Sequence, residues 1–566
     1  MAQISFHPAT KENQLRILDA LGNAAISTRP VYYHRKIVDG DTVKLVWLDP
    51  QDVVLGGVTF SEWKDTVIVK KQGSDPTSIE DGTVVVVNAV RNAHGSEETA
   101  YVDEQAGGAD WHYRAFPRST NGAVNMSDDN IFQTYVIFGF CIDEANPSET
   151  DSVSYVEANE SFTPARMDFS NDVFDYGSWG DAFFLANLKP CMLHYPDATH
   201  ASEYVDYYLD PGNLTKKLDG TPSDVANLNY PGNAMVEWGV PVFYRAYKSG
   251  SKLYCLFSNE KVDSSFECFS ALKEDGTYGK FYLPIYEGTF TNSTTSTVYV
   301  KGVTKMRSMS CGHPANSVIN SLGTKAILNS SSTQEFEASQ LNGGGWTVTR
   351  WADEELVRLL SILLFKRLDF QSALTGTYLG GGALVLNCGE GNDKGLFWGK
   401  GDDSIAVSKM FGMENYFGHR NRRPTGIAVI DGEVYTKMTK HTGDGSTGDN
   451  FVYSDTQSDY TGNYVKTGKL VGAGSAASYI TMMLGKTVFD GETRTSCVLI
   501  PERSGSSGGS AVHYCDVAYL SGGVRGVMLG GHVNYGAGAG LFSFSASAAP
   551  SSAGWGHGAS LSYRDF

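Results

Sequence analysis

The sequence has little charge and no excess of basic residues. Charged residues make up 19% of the 566 residues, below the roughly 25% of average soluble proteins, and the formal net charge at pH 7 is −18. Proteins that bind nucleic acid need clustered Lys and Arg to displace counterions from phosphates, and an anionic membrane surface repels an acidic chain. We therefore expect no nucleic-acid partner.

Long hydrophobic runs are also missing. The longest uncharged apolar run covers residues 135–142, which is too short to span a bilayer. The first ten residues lack the charged-then-apolar pattern of a secretion signal. We therefore expect a soluble protein that is neither inserted into a membrane nor exported by a cleaved signal.

Cysteines are few, and none form the C-x-x-C pairs of zinc sites or the dense pattern of a disulfide framework. We expect buried free thiols, made in a reducing cytosol, and we predict no metal and no cofactor. The eight cysteines are Cys141, Cys191, Cys255, Cys268, Cys311, Cys388, Cys497 and Cys515.

Catalytic motifs are scarce as well. H-E-x-x-H does not occur, so the motif of zinc proteases is missing. Residues 505–509 fit the letters G-x-S-x-G, but we do not interpret the run 504–510 as the nucleophile elbow of a serine hydrolase. Asp143-Glu144 and Asp402-Asp403 are candidate carboxylate pairs of a glycosidase, but adjacent residues usually project to different sides. We favour solvated loops for both pairs and predict that the chain is not an enzyme, with no catalytic residue.

Glycine and aromatic residues are abundant. The chain contains 63 Gly residues, above the roughly 7% of average proteins, and 12% aromatic residues. Without a G-X-Y period, this composition indicates many turns between short strands. The length predicts two to four folding units.

Residues 1–28 are predicted to contain one short helix. Leu15, Leu18 and Leu21 recur at helical spacing, and Gly22 is a plausible end. A helix this short is marginal in water and needs a partner surface. Two interpretations stay open, an anchor or oligomerisation helix and a helix packed on its own next domain.

Residues 29–134 have the pattern of a small all-β sandwich, with β-rich runs separated by Gly, Asp and Asn turns. The runs "VKLVWLDPQDVVLGGVTFSEWKDTVIVKKQGSDP" and "DWHYRAFPRSTNG" resemble a fibronectin type III domain of the kind found in phage tail and fibre proteins. The resemblance implies that Trp47 and Tyr113 pack the core. The alternative is another sandwich with the same strand period.

Two clear helices are predicted in the remaining chain. The first begins near Ser332, which precedes Glu335 at capping-box spacing. The second covers residues 351–370, with leucines at helical spacing, acidic residues in its first turn, and Lys366 and Arg367 in its last turn. We interpret the second as a buried core helix in an α+β layout.

Several runs in residues 135–566 resemble one family of phage structural proteins. They include "GNAMVEWGVPVFYRAY", "GGGWTVTRWADEELVRLLSILLFKRLDFQSAL", "MENYFGHRNRRPTGIAVIDG" and "VHYCDVAYLSGGVRGVMLGGHVNYGAGAGLFSFSASAAPSSAGWGHGASLSYR". The family comprises tail-fibre and adhesin proteins with a C-terminal C-type-lectin fold, similar to the major tropism determinant and other target proteins of diversity-generating retroelements. His419 and Arg420 depart from the family's usual turn sequence, which puts a ligand role of this turn in doubt.

The resemblance implies a receptor-binding face near the end of the chain. Few charged residues occur beyond position 500, and the abundance of Ser, Gly, Tyr, Trp and His is typical of a paratope. For the aromatic residues, packing of the lectin core is the alternative, and for Phe544 it is the better one. The predicted receptor-binding residues are Asp516, Tyr519, His532, Asn534, Tyr535, Ser543, Phe544, Ser545, Ser547, Trp555 and His557.

Two other groups of proteins with the C-type-lectin fold have functional sites whose residues can be sought in this sequence. Animal C-type lectins hold sugars through calcium with a Glu-Pro-Asn or Gln-Pro-Asp triplet, which this chain lacks, so we predict no calcium-dependent sugar site. Formylglycine-generating enzymes need closely placed late cysteines. Only Cys497 and Cys515 occur late, and we favour a core thiol for Cys515.

The resemblance implies a multidomain phage virion protein assembled in the bacterial cytoplasm. The predicted order is a helix (1–28), a fibronectin III-like sandwich (29–134), a strand-rich leading region (135–230) and an α+β C-type-lectin-like domain (231–566). By the same resemblance we expect a homotrimeric tail fibre or adhesin that contacts other virion proteins and a bacterial surface receptor, protein or glycan. The alternatives are a head or tail decoration protein and a surface-glycan depolymerase.

Overall fold

A computed structural model describes most of the chain from residue 31 onward. The predicted N-terminal helix, residues 1–28, lies outside the described residues. These are residues 31, 34–39, 42–55, 58–95, 99–104, 106, 110–132, 136–262, 265–273, 276–291, 299–310, 330–374, 388–400, 407–438, 451–490, 493–505, 512–554 and 556–564.

The chain divides into two compact units, Met1–Val136 and Ile137–Phe566. Strands account for 41% of the structure and helices for 11%, so the expectation of a β-rich multidomain protein with several sheets is confirmed at this level. The division falls two residues after the predicted end of the sandwich at 134, and residues 137–566 cluster as one unit.

In its described residues, the first unit contains eight strands in small antiparallel sheets. The two three-stranded sheets have the orders β1-β2-β7 and β6-β5-β8, and β3 pairs with β4. The strands are β1 His34–Asp39, β2 Thr42–Trp47, β3 Val53–Leu55, β4 Val58–Ser61, β5 Trp63–Gln72, β6 Thr83–Asn88, β7 Tyr101–Asp103 and β8 Trp111–Ser119.

Trp47 and Tyr113 lie in one buried core of this unit, as predicted. The buried Asp49 carboxylate accepts hydrogen bonds from the Trp47 indole (3.0 Å), the Thr66 hydroxyl (2.5 Å) and the Asn88 amide (3.1 Å). Because these donors lie on or beside β2, β5 and β6, Asp49 joins strands of both three-stranded sheets. Burial raises the pKa of Asp49.

The second unit contains thirty strands in its described part. They are β9 Ile137–Asp143, β10 Val153–Glu157, β11 Arg166–Asp168, β12 Val173–Asp175, β13 Leu188–His194, β14 Tyr204–Asp210, β15 Asn213–Lys217, β16 Gly232–Trp238, β17 Phe243–Ser249, β18 Lys252–Ser258, β19 Phe281–Pro284, β20 Thr289–Thr291, β21 Lys305–Arg307, β22 Trp346–Val348, β23 Lys409–Met410, β24 Met413–Glu414, β25 Asn421–Arg422, β26 Ile427–Ile430, β27 Glu433–Thr436, β28 Val465–Lys469, β29 Ser478–Met483, β30 Thr487–Asp490, β31 Thr493–Ser496, β32 Pro501–Gly505, β33 Val517–Leu520, β34 Val524–Gly526, β35 Met528–Leu529, β36 Phe544–Ala546, β37 His557–Gly558 and β38 Leu561–Arg564.

Two seven-stranded sheets organise this unit. The first has the order β15-β14-β13-β16-β19-β38-β22, so the last described strand lies inside it, between β19 and β22. The second, β32-β29-β33-β36-β35-β25-β37, is mixed, since β33 runs parallel to β36 and β25 parallel to β37. The same unit also contains two four-stranded sheets, with the orders β10-β9-β18-β17 and β28-β27-β26-β34.

Five short α-helices are described. They are α1 Phe183–Ala186, α2 Ser332–Gln340, α3 Trp351–Phe365, α4 Phe370–Ala373 and α5 Ser458–Thr461.

Both predicted helices are present, with corrected ends. The cap of α2 is Ser331, whose hydroxyl accepts from the Gln334 amide while the Gln334 side chain accepts from the Ser331 amide, so the capping box lies one residue before the predicted pair. Helix α3 ends at Phe365 instead of residue 370, because Lys366 adopts a left-handed conformation with φ of 51°.

Helix α3 is buried on all sides, which confirms the prediction of a core helix. Its acidic first turn is buried too, and each carboxylate has its own partners. Glu354 accepts from Arg422 at 2.7 Å and from the Tyr416 hydroxyl at 2.7 Å. Buried charge is stable only when paired and hydrogen-bonded, so these contacts fix the strand β25 segment against the helix.

Buried free thiols were predicted for all eight cysteines. The seven described cysteines are free and buried, as predicted, and Cys311 lies outside the described residues. In the described part of the chain, no helix has both the length and the apolar character needed to cross a membrane.

The Glu354–Arg422 pair gives a direct test of this packing. We expect Glu354→Gln to lower the free energy of unfolding by about 3–5 kcal/mol, because the buried Arg422 guanidinium loses its countercharge. The shift is measured from chemical denaturation midpoints of the larger unit.

Glu433→Gln is the matched control. Glu433 lies on the surface, 3.3 Å from Lys466 and 3.5 Å from Lys469, and exposed ion pairs contribute little. The interpretation fails if the Glu354 variant is as stable as the wild type, or if both variants are destabilised equally.

Candidate functional site

The structure divides the eleven predicted receptor-binding residues into three groups. Four are buried, namely Asp516, Ser543, Phe544 and Ser545. Six are partly or fully exposed, namely Tyr519, His532, Asn534, Tyr535, Ser547 and His557. Trp555 lies outside the described residues.

The four buried residues are a correction to the prediction, because no receptor reaches side chains with at most 2% exposure. Asp516 accepts a hydrogen bond from the Phe542 amide at 2.6 Å, and burial raises its pKa well above the usual range. Phe544 packs inside the sheet, as the core alternative proposed. Ser543 and Ser545 lie in the same covered segment.

The reason for this burial is the position of β36. This strand lies between β33 and β35 in the middle of the second seven-stranded sheet, and all three of its residues are buried. Ser543 and Ser545, on either side of Phe544, were expected on an open face. Instead, Tyr535 lies against Ser545 and forms a hydrogen-bonding contact with it. Burial raises the pKa of Tyr535, and this contact partly offsets the rise.

The exposed residues form a contiguous surface that we call the Tyr–His patch, consisting of Tyr519, His532, Asn534, Tyr535, Ser547 and His557. The ring centroids of Tyr519 and Tyr535 are 5.2 Å apart, and those of His532 and Tyr535 are 4.1 Å apart. Such tilted ring pairs add to the stability of the contact beyond buried area.

Ser547 and His557 are connected to the other members of the patch through neighbouring residues. Ser547 and Ser545 share a hydrogen bond of 2.9 Å between their hydroxyls, and Ser545 is the parallel-strand neighbour of Tyr519. His557 on β37 pairs with Asn421 on β25. A sheet therefore supports the patch from behind.

A 3₁₀ turn, residues 533–538, positions the most exposed part of the patch. The His532 Nδ1 atom accepts from the Asn534 amide at 3.2 Å and so caps the turn. Gly536 has φ 51° and ψ −129°, a conformation that essentially only glycine adopts. This local geometry leaves Asn534 exposed and places Tyr535 between Tyr519 and His532.

The patch carries no charge at neutral pH. Burial lowers the pKa of His532 to about 4 and that of His557 to about 3, and nearby Arg423 and Arg420 lower the latter further. Both imidazoles are therefore neutral, with hydrogen-bonding capacity but no cationic charge. The patch is suited to contacts through ring faces and neutral hydrogen bonds.

Sequence reasoning missed the residues that support the patch. Arg420 is buried and donates to the backbone carbonyl of His557, while Asn421 lies beside Tyr535. In the sequence, His419 and Arg420 differ from the family's usual turn, and this was the only feature attributed to residues 419–423. The support that Arg420 and Asn421 give to the patch depends on the parallel pairing of β25 with β37. Local sequence does not indicate such pairing between distant strands.

The turn with the atypical His419 and Arg420 belongs to the interior. The His419 Nδ1 atom is 2.7 Å from a Glu287 carboxylate oxygen, and both side chains are buried. Arg423 donates to Glu335 at 2.7 Å and to the Ser330 carbonyl at 2.8 Å. These residues hold the frame together and are not accessible to a ligand.

The alternative chemical sites have structural roles where they are described. The expectation of a solvated loop is wrong for Glu144, which is buried and accepts from the Met483 amide (2.8 Å) and the Tyr514 hydroxyl (2.9 Å). Asp143 is the last residue of β9 and is partly exposed. Asp402 and Asp403 lie outside the described residues. Burial raises the pKa of the Cys497 thiol to about 12 and also raises that of Cys515. Among the described residues, no group of three or more His, Cys, Asp and Glu side chains could hold a metal ion.

The lowered histidine pKa values predict a pH dependence of stability. Between about pH 6.5 and pH 4 the unfolded chain binds protons that the folded patch excludes, so stability falls as the pH falls through this window. In the His557→Gln variant we expect the free energy of unfolding to fall by about 2 kcal/mol less over this pH range than in the wild type. This value is smaller than the full pKa shift of His557 implies, because the side chain is partly exposed.

Denaturation midpoints at pH 8, 6.5, 5.5 and 4.5 measure this effect. At pH 8 the side chain at position 557 is uncharged in both the wild type and the variant. The difference between their stabilities at this pH therefore serves as the baseline. Identical slopes for the wild type and the variant below pH 6.5 would contradict the interpretation.

In comparisons with known proteins, no family model matches the chain, and no curated protein matches its sequence.

Proposed function

We propose that this protein is a phage virion component, a tail fibre or adhesin, that attaches to the surface of a bacterial host through the Tyr–His patch. The observation that carries the proposal is the patch itself. Two tyrosines, two neutral histidines, an exposed amide and a serine hydroxyl meet on one sheet-supported surface.

The chemistry of the patch supports recognition. Tyr supplies a large contact area with few rotatable bonds, and small polar residues supply adaptable hydrogen bonds, as in antibody paratopes. Tyr519 and Tyr535 are already packed against each other, so little conformational entropy is lost when a partner binds. The receptor is a protein or glycan of the cell surface.

The arrangement of the second unit supports a C-type-lectin fold for it. The segments that resemble the adhesin family are far apart in sequence, yet they pack together. Trp346 pairs with Tyr563 across β22 and β38, and Asn421 pairs with His557 across β25 and β37. The finer assignments, an α+β lectin-like domain and a fibronectin III-like first unit, are part of this proposal.

The proposed assembly is a homotrimer in the virion, in which residues 1–28 form a contact helix. Several weak contacts made at once multiply avidity without any new contact at a single site. The acidic net charge of −18 is consistent with a protein partner or neutral glycan and not with nucleic acid.

Two alternatives remain as competing proposals. A head or tail decoration protein would use the same fold only to stabilise the particle. A surface-glycan depolymerase would cleave the receptor. It is disfavoured because, of the described candidate pair Asp143 and Glu144, only Asp143 is partly exposed, whereas Glu144 is bound in the interior.

Binding of the fluorescently labelled full-length protein to host cells, measured by flow cytometry, tests the proposal. We expect Asn534→Arg to reduce cell binding at least about tenfold, because a long charged side chain at the exposed tip of the patch blocks close contact. Asn534 is exposed, so the substitution leaves the core intact.

Asn229→Arg is the matched control, since Asn229 is also exposed but lies outside the patch. Equal binding by both variants and the wild type would exclude the patch as the receptor site. Failure of the wild type to bind cells, with particles that dissociate in its absence, would favour the decoration protein. Release of reducing sugar ends from host glycans would favour the depolymerase.

A further inference from the structure

A cavity of about 470 Å³ lies in the second unit, apart from the residues of the Tyr–His patch. Its volume is within the range of small-molecule sites. It is lined by Thr163, Pro164, Ala165, Arg166, Met167, Phe169, Phe365, Arg367, Ser372 and Ala373.

Two rigid parts of the fold form the walls. One wall is residues 163–169, which lead into the hairpin of β11 and β12, and the other is the end of α3 with the short helix α4. The amide of Ala165 donates to the carbonyl of Leu364 at 2.8 Å. Phe174 of β12 contacts Phe365 with 5.6 Å between ring centroids. The walls are therefore held together by the fold itself.

The inner surface is apolar. Ala165, Met167, Phe365 and Ala373 are each at most 7% exposed, so they present hydrocarbon and an aromatic ring to the cavity. Phe169 is 39% exposed. An apolar ligand that enters the cavity would cover this ring and remove it from water.

Two arginines supply positive charge beside this apolar surface. The Arg367 side chain is 27% exposed, and its guanidinium has one long contact, 3.4 Å from its Nη2 atom to Asp369. Arg166 is largely exposed and contacts Asp175 at 3.3 Å from its Nε atom. Such an exposed pair is weak.

From this arrangement we propose that the cavity binds a small amphipathic carboxylate, with its apolar body against Met167, Phe169 and Phe365 and its carboxylate at Arg367. A terminal N–H of the guanidinium donates to the carboxylate in a charge-assisted hydrogen bond. The proposal is independent of receptor binding by the Tyr–His patch.

The neighbouring acids select the charge of the ligand. Asp175 and Asp369 already contact the two arginines, so a dianion such as a phosphate monoester would be repelled by two carboxylates. A singly charged head group gains the contact to Arg367 with less repulsion. The apolar lining also excludes small hydrophilic acids such as acetate as good ligands.

Titration of the full-length protein with octanoate, followed by saturation-transfer NMR, tests the proposal. We expect octanoate to bind and 1-octanol, octylammonium and acetate to bind at least about tenfold more weakly. Arg367→Gln should weaken octanoate binding about tenfold, which is the usual effect of losing one charge-assisted hydrogen bond, and should leave the weak binding of octanol unchanged.

Two further variants complete the test. Phe169→Ala should weaken octanoate and octanol alike, because it removes apolar contact, and its exposed position leaves the fold intact. Lys216→Gln, an exposed cation on β15 that does not line the cavity, should change nothing. The proposal is overturned if octanoate does not bind, if octylammonium binds as well as octanoate, or if Arg367→Gln leaves octanoate binding unchanged.

Discussion

The larger unit depends on the buried acidic first turn of α3. Asp353, Glu354 and Glu355 follow one another, and each carboxylate is directed to a different part of the chain. Asp353 pairs with Arg350 at 2.6 Å, and Glu354 pairs with Arg422 and Tyr416. Burying three adjacent acids is unfavourable unless all are satisfied, so the surrounding segments must be in place together.

Glu355 extends this constraint to a third region. Its carboxylate accepts from the Tyr244 hydroxyl at 3.1 Å, from the Ser496 hydroxyl and from the Leu499 amide at 3.1 Å. Burial raises its pKa to about 7. One helical turn thus links β17, the β24–β25 segment and the end of β31. The strands that carry the Tyr–His patch are anchored to the same frame through β25.

Much of the secondary structure could be predicted from local sequence, but the packing could not. The leucine spacing located α3, whereas Trp47 and Tyr113 were assigned to a core by the resemblance to a fibronectin type III domain. The acids of α3 were expected to interact with the helix dipole, because nothing local to them indicates Arg422 or Ser496 as partners. Burial of Ser543 and Ser545 was missed for a related reason. Alternating polar and apolar residues in a strand predict an exposed face only when one side of the sheet is open to solvent, and β36 is covered on both sides. The parallel pairing of β25 with β37 joins residues too distant for any local pattern to predict.

The position of β38 has a consequence for how this protein is made. Phe281 of β19 pairs with Arg564, and Trp346 of β22 pairs with Tyr563. The first seven-stranded sheet therefore stays divided, with β19 and β22 unjoined, until residue 564 has left the ribosome. Non-local pairing of this kind slows folding and prolongs exposure of strand edges. The described strands of the smaller unit all lie before residue 120. This unit can therefore fold while the larger one is still being synthesised, whereas the larger one must wait for translation to reach β38.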